Sequence, residues 1–91
     1  MRTHYFCGTT INCETGLHQA DYYIVVDDLL NRHSETAGEV FGIRVSMAGT
    51  SETVWDITSK YDEIVNFALK LCKFGVTPVT LRDIVYDSLP L

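Results

Sequence analysis

Four side chains near the start of the chain could hold a metal ion: His4, Cys7, Cys13 and His18. In the order His-x2-Cys-x5-Cys-x4-His they offer two thiolates and two imidazoles. That is the donor set of a tetrahedral site, if the segment folds back as a hairpin. The spacing is not that of a zinc finger or ribbon. The competing reading is a strand with a half-buried Cys7 and exposed histidines. A third cysteine, Cys72, lies on the apolar arc of a predicted helix and reads as a small buried apolar residue. Three cysteines, an odd number, suit a disulfide framework poorly. Metal or thiol chemistry at Cys7 and Cys13 is the second reading of this sequence.

Other chemistry has less to stand on. The chain has no Gly-x-Ser-x-Gly elbow, no glycine-rich phosphate loop and no Cys–His spacing typical of a nucleophile and its base. The expectation is a non-enzymatic protein with no cofactor. Two acids near the C-terminus break a local rule. Asp83 and Asp87 stand at i and i+4 on a predicted helix, where like charges repel, and Asp87 sits at the negative end of the dipole. Either they are solvated or ion-paired within the chain, or they serve a partner.

The composition bounds the rest. Ninety-one residues suffice for one domain with a modest core. A net charge of −5 argues against sequence-independent nucleic-acid binding and against adhesion to anionic lipid. The longest apolar run, Tyr22–Val26, is strand-sized and far short of a membrane span. The first residues show no signal-peptide pattern, which points to the cytoplasm and to reduced thiols.

These residues need elements to position them. Arg2–Cys7 reads as a strand, the following Gly-Thr-Thr-Ile-Asn as a turn, and residues 13–21 are indistinct. Tyr22–Asp28 is β-branched and aromatic, hence a strand, and a loop follows. Over 40–48 the pattern alternates, with Phe41, Ile43, Val45 and Met47 on one face and Val40 and Arg44 on the other. Residues 49–52 signal a turn. A strand over 53–58 is expected to turn Trp55 and Ile57 inward and Val54 outward. Tyr23 and Val25 are expected on the open face with Val40 and Arg44.

The period becomes helical after Thr58. Ser59 is the expected N-cap, Asp62 and Glu63 suit the positive end of the dipole, and Gly75 suits the C′ position. Apolar residues from Tyr61 to Phe74 fill an arc of roughly 220°, where a helix on a sheet needs only about 100°. The excess predicts contact with a second helix or another subunit. Thr77 then caps a last helix with Pro78 at N1. Val76 follows the C′ residue of one helix and precedes the N-cap of the next, so it can pack on both Leu71 and Leu81. Leu81, Ile84, Val85 and Leu89 form the expected core stripe, with Val79, Arg82 and Tyr86 beside it, and Pro90 ends the helix.

The segments Tyr22–Asp28, Phe41–Val45 and Asp56–Leu89 resemble a family of small bacterial proteins, mostly from Gram-positive anaerobes, known as a domain of unknown function. The ending Thr-Pro-Val-Thr-Leu-Arg-Asp-Ile-Val-Tyr-Asp-Ser-Leu carries the resemblance most clearly, with Leu81, Asp83, Ile84, Val85 and Asp87 on the family's pattern. Thr80 stands where that pattern often has His, so no role for an imidazole carries over. The likeness covers roughly Tyr22 to Leu89 and leaves out the first twenty residues. It implies a small strand-then-helix domain and brings no activity.

The fold expected is α+β: a single domain with an antiparallel sheet of three or four strands and a C-terminal helical hairpin on one face. The function expected is protein interaction, with self-association into a homodimer. The surfaces offered for it are Arg82, Asp83, Tyr86 and Asp87 on the last helix, and Tyr23 and Arg44 on the open sheet face.

Overall fold

The computed structural model describes residues 2–28 and 39–89. Four strands, β1 (Arg2–Cys13), β2 (Gly16–Asp28), β3 (Glu39–Met47) and β4 (Thr50–Thr58), precede two helices, α1 (Tyr61–Phe74) and α2 (Pro78–Ser88). The sheet is an antiparallel meander in the order β1-β2-β3-β4. Both helices pack on one face, α1 mainly over β1, β2 and β3, and α2 over β4 and β3. This is the expected α+β architecture. Most of the loop predicted after Asp28, and Pro90, lie outside the described residues.

The core follows the period of two. Ala20, Tyr22, Ile24 and Val26 from β2 and Phe41, Ile43 and Val45 from β3 meet Ile64, Phe67, Ala68 and Leu71 of α1 and Leu81 and Val85 of α2. Tyr22 is fully buried, and its hydroxyl donates to the Val76 carbonyl at 2.8 Å. That bond ties the sheet to the turn between the helices.

Three expectations about the strands are corrected. Residues 8–12 do not turn; they continue β1, and the reversal falls at Glu14 and Thr15, between the paired Cys13 and Gly16. Thr and Ile favour the extended chain, and that preference prevails over the turn signal of Gly8. The β3–β4 turn is Ala48 and Gly49, both at positive φ, rather than residues 49–52. In β4 the predicted alternation fails. Phe41 pairs with Thr58 but Ile43 pairs with Val54, so β4 carries two more residues than β3 between these pairs. Asp56 takes a left-handed conformation (φ 56°). The excursion brings both Val54 and Ile57 into the core and leaves Trp55 38% exposed.

The excursion also lies over the opposite face of the sheet. A Cβ on Gly42 would sit 2.3 Å from the Val54 carbonyl oxygen and 3.0 Å from both the Trp55 Cα and the Val25 Cγ2. Val25, on the predicted open face, is consequently buried (1% exposed), apart from the main cluster between sheet and helices.

The helix ends are mixed. Lys60, not Ser59, occupies the N-cap of α1, with no side-chain cap bond. Thr58 substitutes: its hydroxyl accepts from the Lys60 N–H at 3.1 Å and donates to Glu63 at 2.6 Å. The other end behaves as predicted. Gly75 is left-handed (φ 66°), its N–H donates to the Cys72 carbonyl, and the Val76 N–H donates to the Leu71 carbonyl, the Schellman pattern. Thr77 caps α2 with Pro78 at N1, and the Thr77 N–H donates to the Thr80 hydroxyl at 3.3 Å. Thr80 thus serves the capping box. Leu89, predicted in the core stripe of α2, is instead exposed, just beyond the last helical residue.

Candidate functional site

The wide arc of α1 has two flanks with different surroundings. Its centre, Ile64, Ala68 and Leu71, is sealed on the sheet. One flank faces β1: the Cys72 thiol approaches the Gly8 carbonyl at 3.8 Å, and the Ile11 side chain lies beside Gly75. The other flank opens toward α2. There Phe67, Lys70, Leu71 and Phe74, with Val76, Ile84 and Ser88, line a groove of about 290 Å³. Phe74 is 73% exposed, with the Lys73 ammonium 5.9 Å from its ring centroid.

The two rims of this groove differ in charge. Lys70 lines it on the α1 side, and Lys73 stands one helical step further on. On α2, Asp87 adjoins Ser88 and lies three residues past Ile84, with Asp83 one turn before it. Asp83 and Asp87 are exposed, and their carboxylates make no ion pair or hydrogen bond with another described residue. They are not structural partners of a cation within the described chain. The groove thus has a lysine in its lining on the α1 side, and on the α2 side two aspartates stand beside its lining residues Ile84 and Ser88.

Arg82 and Tyr86, grouped with the acids from the sequence, turn elsewhere. The Arg82 guanidinium donates to Glu52 of β4 at 3.1 Å, to the Thr53 carbonyl at 3.4 Å and to the Tyr86 hydroxyl at 3.3 Å. The hydrogen bonds from Arg82 to Tyr86 and Glu52 raise its already high pKa. These two side chains brace α2 on the sheet edge. Tyr23 and Arg44 lie on the far face of the sheet. Tyr23 stacks edge-on with Tyr5 at 5.5 Å, and Arg44 reaches Ser51 at 3.5 Å. The six residues offered for partner binding therefore belong to three separate places.

The N-terminal cysteines and histidines are strung along one hairpin. Cys7 pairs with Tyr22, Ile11 with His18 and Cys13 with Gly16. Cys13 lies six residue steps along β1 from Cys7, about 20 Å of extended chain. His18 instead contacts the Thr15 hydroxyl at 2.7 Å. No group of three or more metal-ligating side chains gathers among the described residues. What Cys7 does approach is Cys72 of α1, whose thiol lies 3.8 Å from the carbonyl of Gly8, the next residue of β1. Sequence reasoning missed this pairing. The signal available was the place of Cys72 on the flank of the arc rather than at its centre.

A second hollow, about 350 Å³, lies at the other end of the sheet between Ile24, Val26, Phe41 and Tyr61. Arg2 and Glu39 at its rim form an ion pair, and Phe41 and Tyr61 meet edge-on at 5.5 Å. No described helix is long and apolar enough to cross a membrane.

A four-strand antiparallel meander carrying a helical hairpin on one face, with an apolar groove along the hairpin, defines the class: a small two-layer α+β domain. The chain belongs to the family of unknown function DUF6514, whose model matches residues 2–90 and so includes the first twenty residues that the resemblance left out. No curated protein and no solved structure matches it.

Proposed function

We propose that this chain is a non-catalytic cytoplasmic interaction module that works through its helical face, and that a second copy of the chain occupies the groove. The observation carrying this reading is the groove itself: an apolar floor around an exposed Phe74, lined by Lys70 on α1 and flanked on α2 by two aspartates that are unpaired among the described residues. A twofold axis parallel to the groove brings each rim onto the opposite rim of its mate. Lys70 and Lys73 of one copy then face Asp83 and Asp87 of the other, while the two Phe74 rings fill the shared floor. The patch is locally neutral although the chain carries −5, so pairing there avoids the general repulsion. The same arrangement gives a reason for the unfavourable placement of Asp83 and Asp87.

Sedimentation equilibrium at micromolar concentration tests this directly. The wild type is expected to be a dimer and Phe74→Asp a monomer. Lys70→Glu/Lys73→Glu and Asp83→Lys/Asp87→Lys are each expected to be monomeric alone, because like rims then meet. Mixed together they should form a heterodimer. A wild type that stays monomeric to 100 μM, on the order of the weakest affinity such a surface would show, overturns the proposal. So does a mixture with no heterodimer.

A further inference from the structure

The structure assigns a second chemical feature, away from the groove: Cys7 and Cys72 form a dithiol that closes reversibly into a disulfide clamping β1 to α1. The strand geometry is specific to this pairing. Between Tyr5, which pairs with Tyr23, and Cys7, which pairs with Tyr22, β1 carries one extra residue, Phe6. Without that bulge, alternation would leave Cys7 on the same face as Tyr5, away from the helices. With it, Cys7 stands on the helical face opposite buried Tyr22, while Phe6 packs against the core. Cys72 comes down from the β1 flank of α1, its thiol 3.8 Å from the carbonyl of Gly8, the residue following Cys7. Both cysteines are half-buried, so solvent reaches them.

The titratable groups around Cys7 are Cys72 from α1 and Tyr22 from β2, with Tyr5 on its own strand. Burial, and then the neighbouring Cys72 thiol, push the Cys7 thiol up to about 12. Cys7 thus rests as a thiol near neutral pH, and oxidation through it quickens as pH rises, since the thiolate is the attacking form. The oxidant is a small-molecule disulfide. One protein thiolate attacks it, forms a mixed disulfide and releases one reduced thiol. The second protein thiolate then attacks the protein sulfur of that mixed disulfide and releases the other. The two cysteines lose two electrons and two protons in all, and the oxidant is reduced to two thiols.

The test uses the full chain and oxidised glutathione. Native protein is equilibrated across glutathione redox buffers at pH 8, quenched by alkylation and mapped by mass spectrometry. The expected product is an intramolecular Cys7–Cys72 cross-link, formed equally by Cys13→Ser and reversed by dithiothreitol. Because the bond closes a long loop, the oxidised protein should melt higher, on the order of 10 °C. That rise should be absent in Cys7→Ser and in Cys72→Ser. The mapping needs no variant, so it stands even if either serine substitution fails to fold. A cross-link from Cys7 to Cys13, or Cys7 and Cys72 both recovered alkylated from the most oxidising buffer, overturns the assignment.

Discussion

The turn between the helices and the excursion in β4 each pass through a left-handed residue, Gly75 at φ 66° and Asp56 at φ 56°. They are bent by different means. At the turn the backbone bend is set locally: the Schellman bonds, Pro78 at N1 and the Thr77–Thr80 box all close within ten residues, and Tyr22 only ties the finished turn to the sheet. In β4 the constraint is distant. The excursion fits because β3 offers a bare backbone at Gly42 and because Val25 of β2 fills the space beneath it. The two bends also serve opposite faces. The turn sets the angle at which α1 and α2 enclose their groove. The excursion covers Val25 and so removes apolar surface from the far side of the sheet.

Gly42→Ala should break the distant bend and have the largest effect. The added Cβ would meet a backbone oxygen at 2.3 Å, and backbone cannot swing aside as a flexible side chain does. A loss of about 3 kcal/mol is expected, at the upper end of overpacking costs. Urea denaturation measures it. A loss below about 1 kcal/mol would mean that β4 has room to move and is not held on Gly42.

That dependence explains what could be read in the sequence and what could not. The turn was legible because Gly75, Thr77, Pro78 and the Val76–Leu81 spacing state its geometry within a few residues. The faces of β2 and β3 were legible because their period of two is unbroken from Ala20 to Val26 and from Phe41 to Val45. Val54 and Trp55 were misassigned because a bulge leaves no periodic trace, and the residue that permits it lies on the neighbouring strand. Cys7 escaped for the same reason, since the extra residue at Phe6 reverses its face. The acids on α2 were singled out by their broken local rule. Lys70 and Lys73 on α1 were not, because they looked like ordinary residues of a helix C-terminus.

Tyr22→Phe tests how firmly the local bend is held to the sheet. Removing the hydroxyl leaves the Val76 carbonyl without its buried donor, at an expected cost of about 1–2 kcal/mol. The pH dependence carries a matching signature. Burial, followed by the nearby Cys72 and Cys7 thiols, raises the Tyr22 phenol from 10.0 to about 12. The folded chain thus holds this proton more tightly than the unfolded one. Its contribution is complete below the unfolded value of 10.0 and is lost as pH rises through about 12. Thermal melts between pH 9 and 12 should show a shallower alkaline decline in Tyr22→Phe than in the wild type. Equal slopes would assign the decline to other groups.

Gly75→Ala isolates the backbone cost of the turn. A Cβ there would lie 3.6 Å from Ile11, an ordinary contact, so no clash contributes. The left-handed φ alone should cost about 1 kcal/mol. For a chain of this length that is a melting point lower by roughly 4–8 °C. A drop as large as that of Gly42→Ala would erase the distinction between a locally strained residue and a sterically blocked one.

The smallest effect on stability belongs to Asp83→Asn/Asp87→Asn, and it separates folding from docking most cleanly. The two carboxylates repel across one helical turn, and Asp87 opposes the dipole, so their neutralisation should raise monomer stability by a few tenths of a kcal/mol. Asparagine keeps the size of each side chain and removes only the charge, so the apolar floor of the groove is undisturbed. If the rims pair across a twofold axis, the same substitution removes the negative half of each pairing and dimer dissociation should strengthen, roughly tenfold for 1.4 kcal/mol lost. Stability and association must therefore be measured apart, the first by denaturation at low concentration and the second by sedimentation. The two should move in opposite directions, and salt should weaken the wild-type dimer more than the variant, because only the wild type has charges left on both rims to screen. A variant less stable than the wild type with its dimer unchanged would make the aspartates part of the fold and leave the groove to its apolar floor alone.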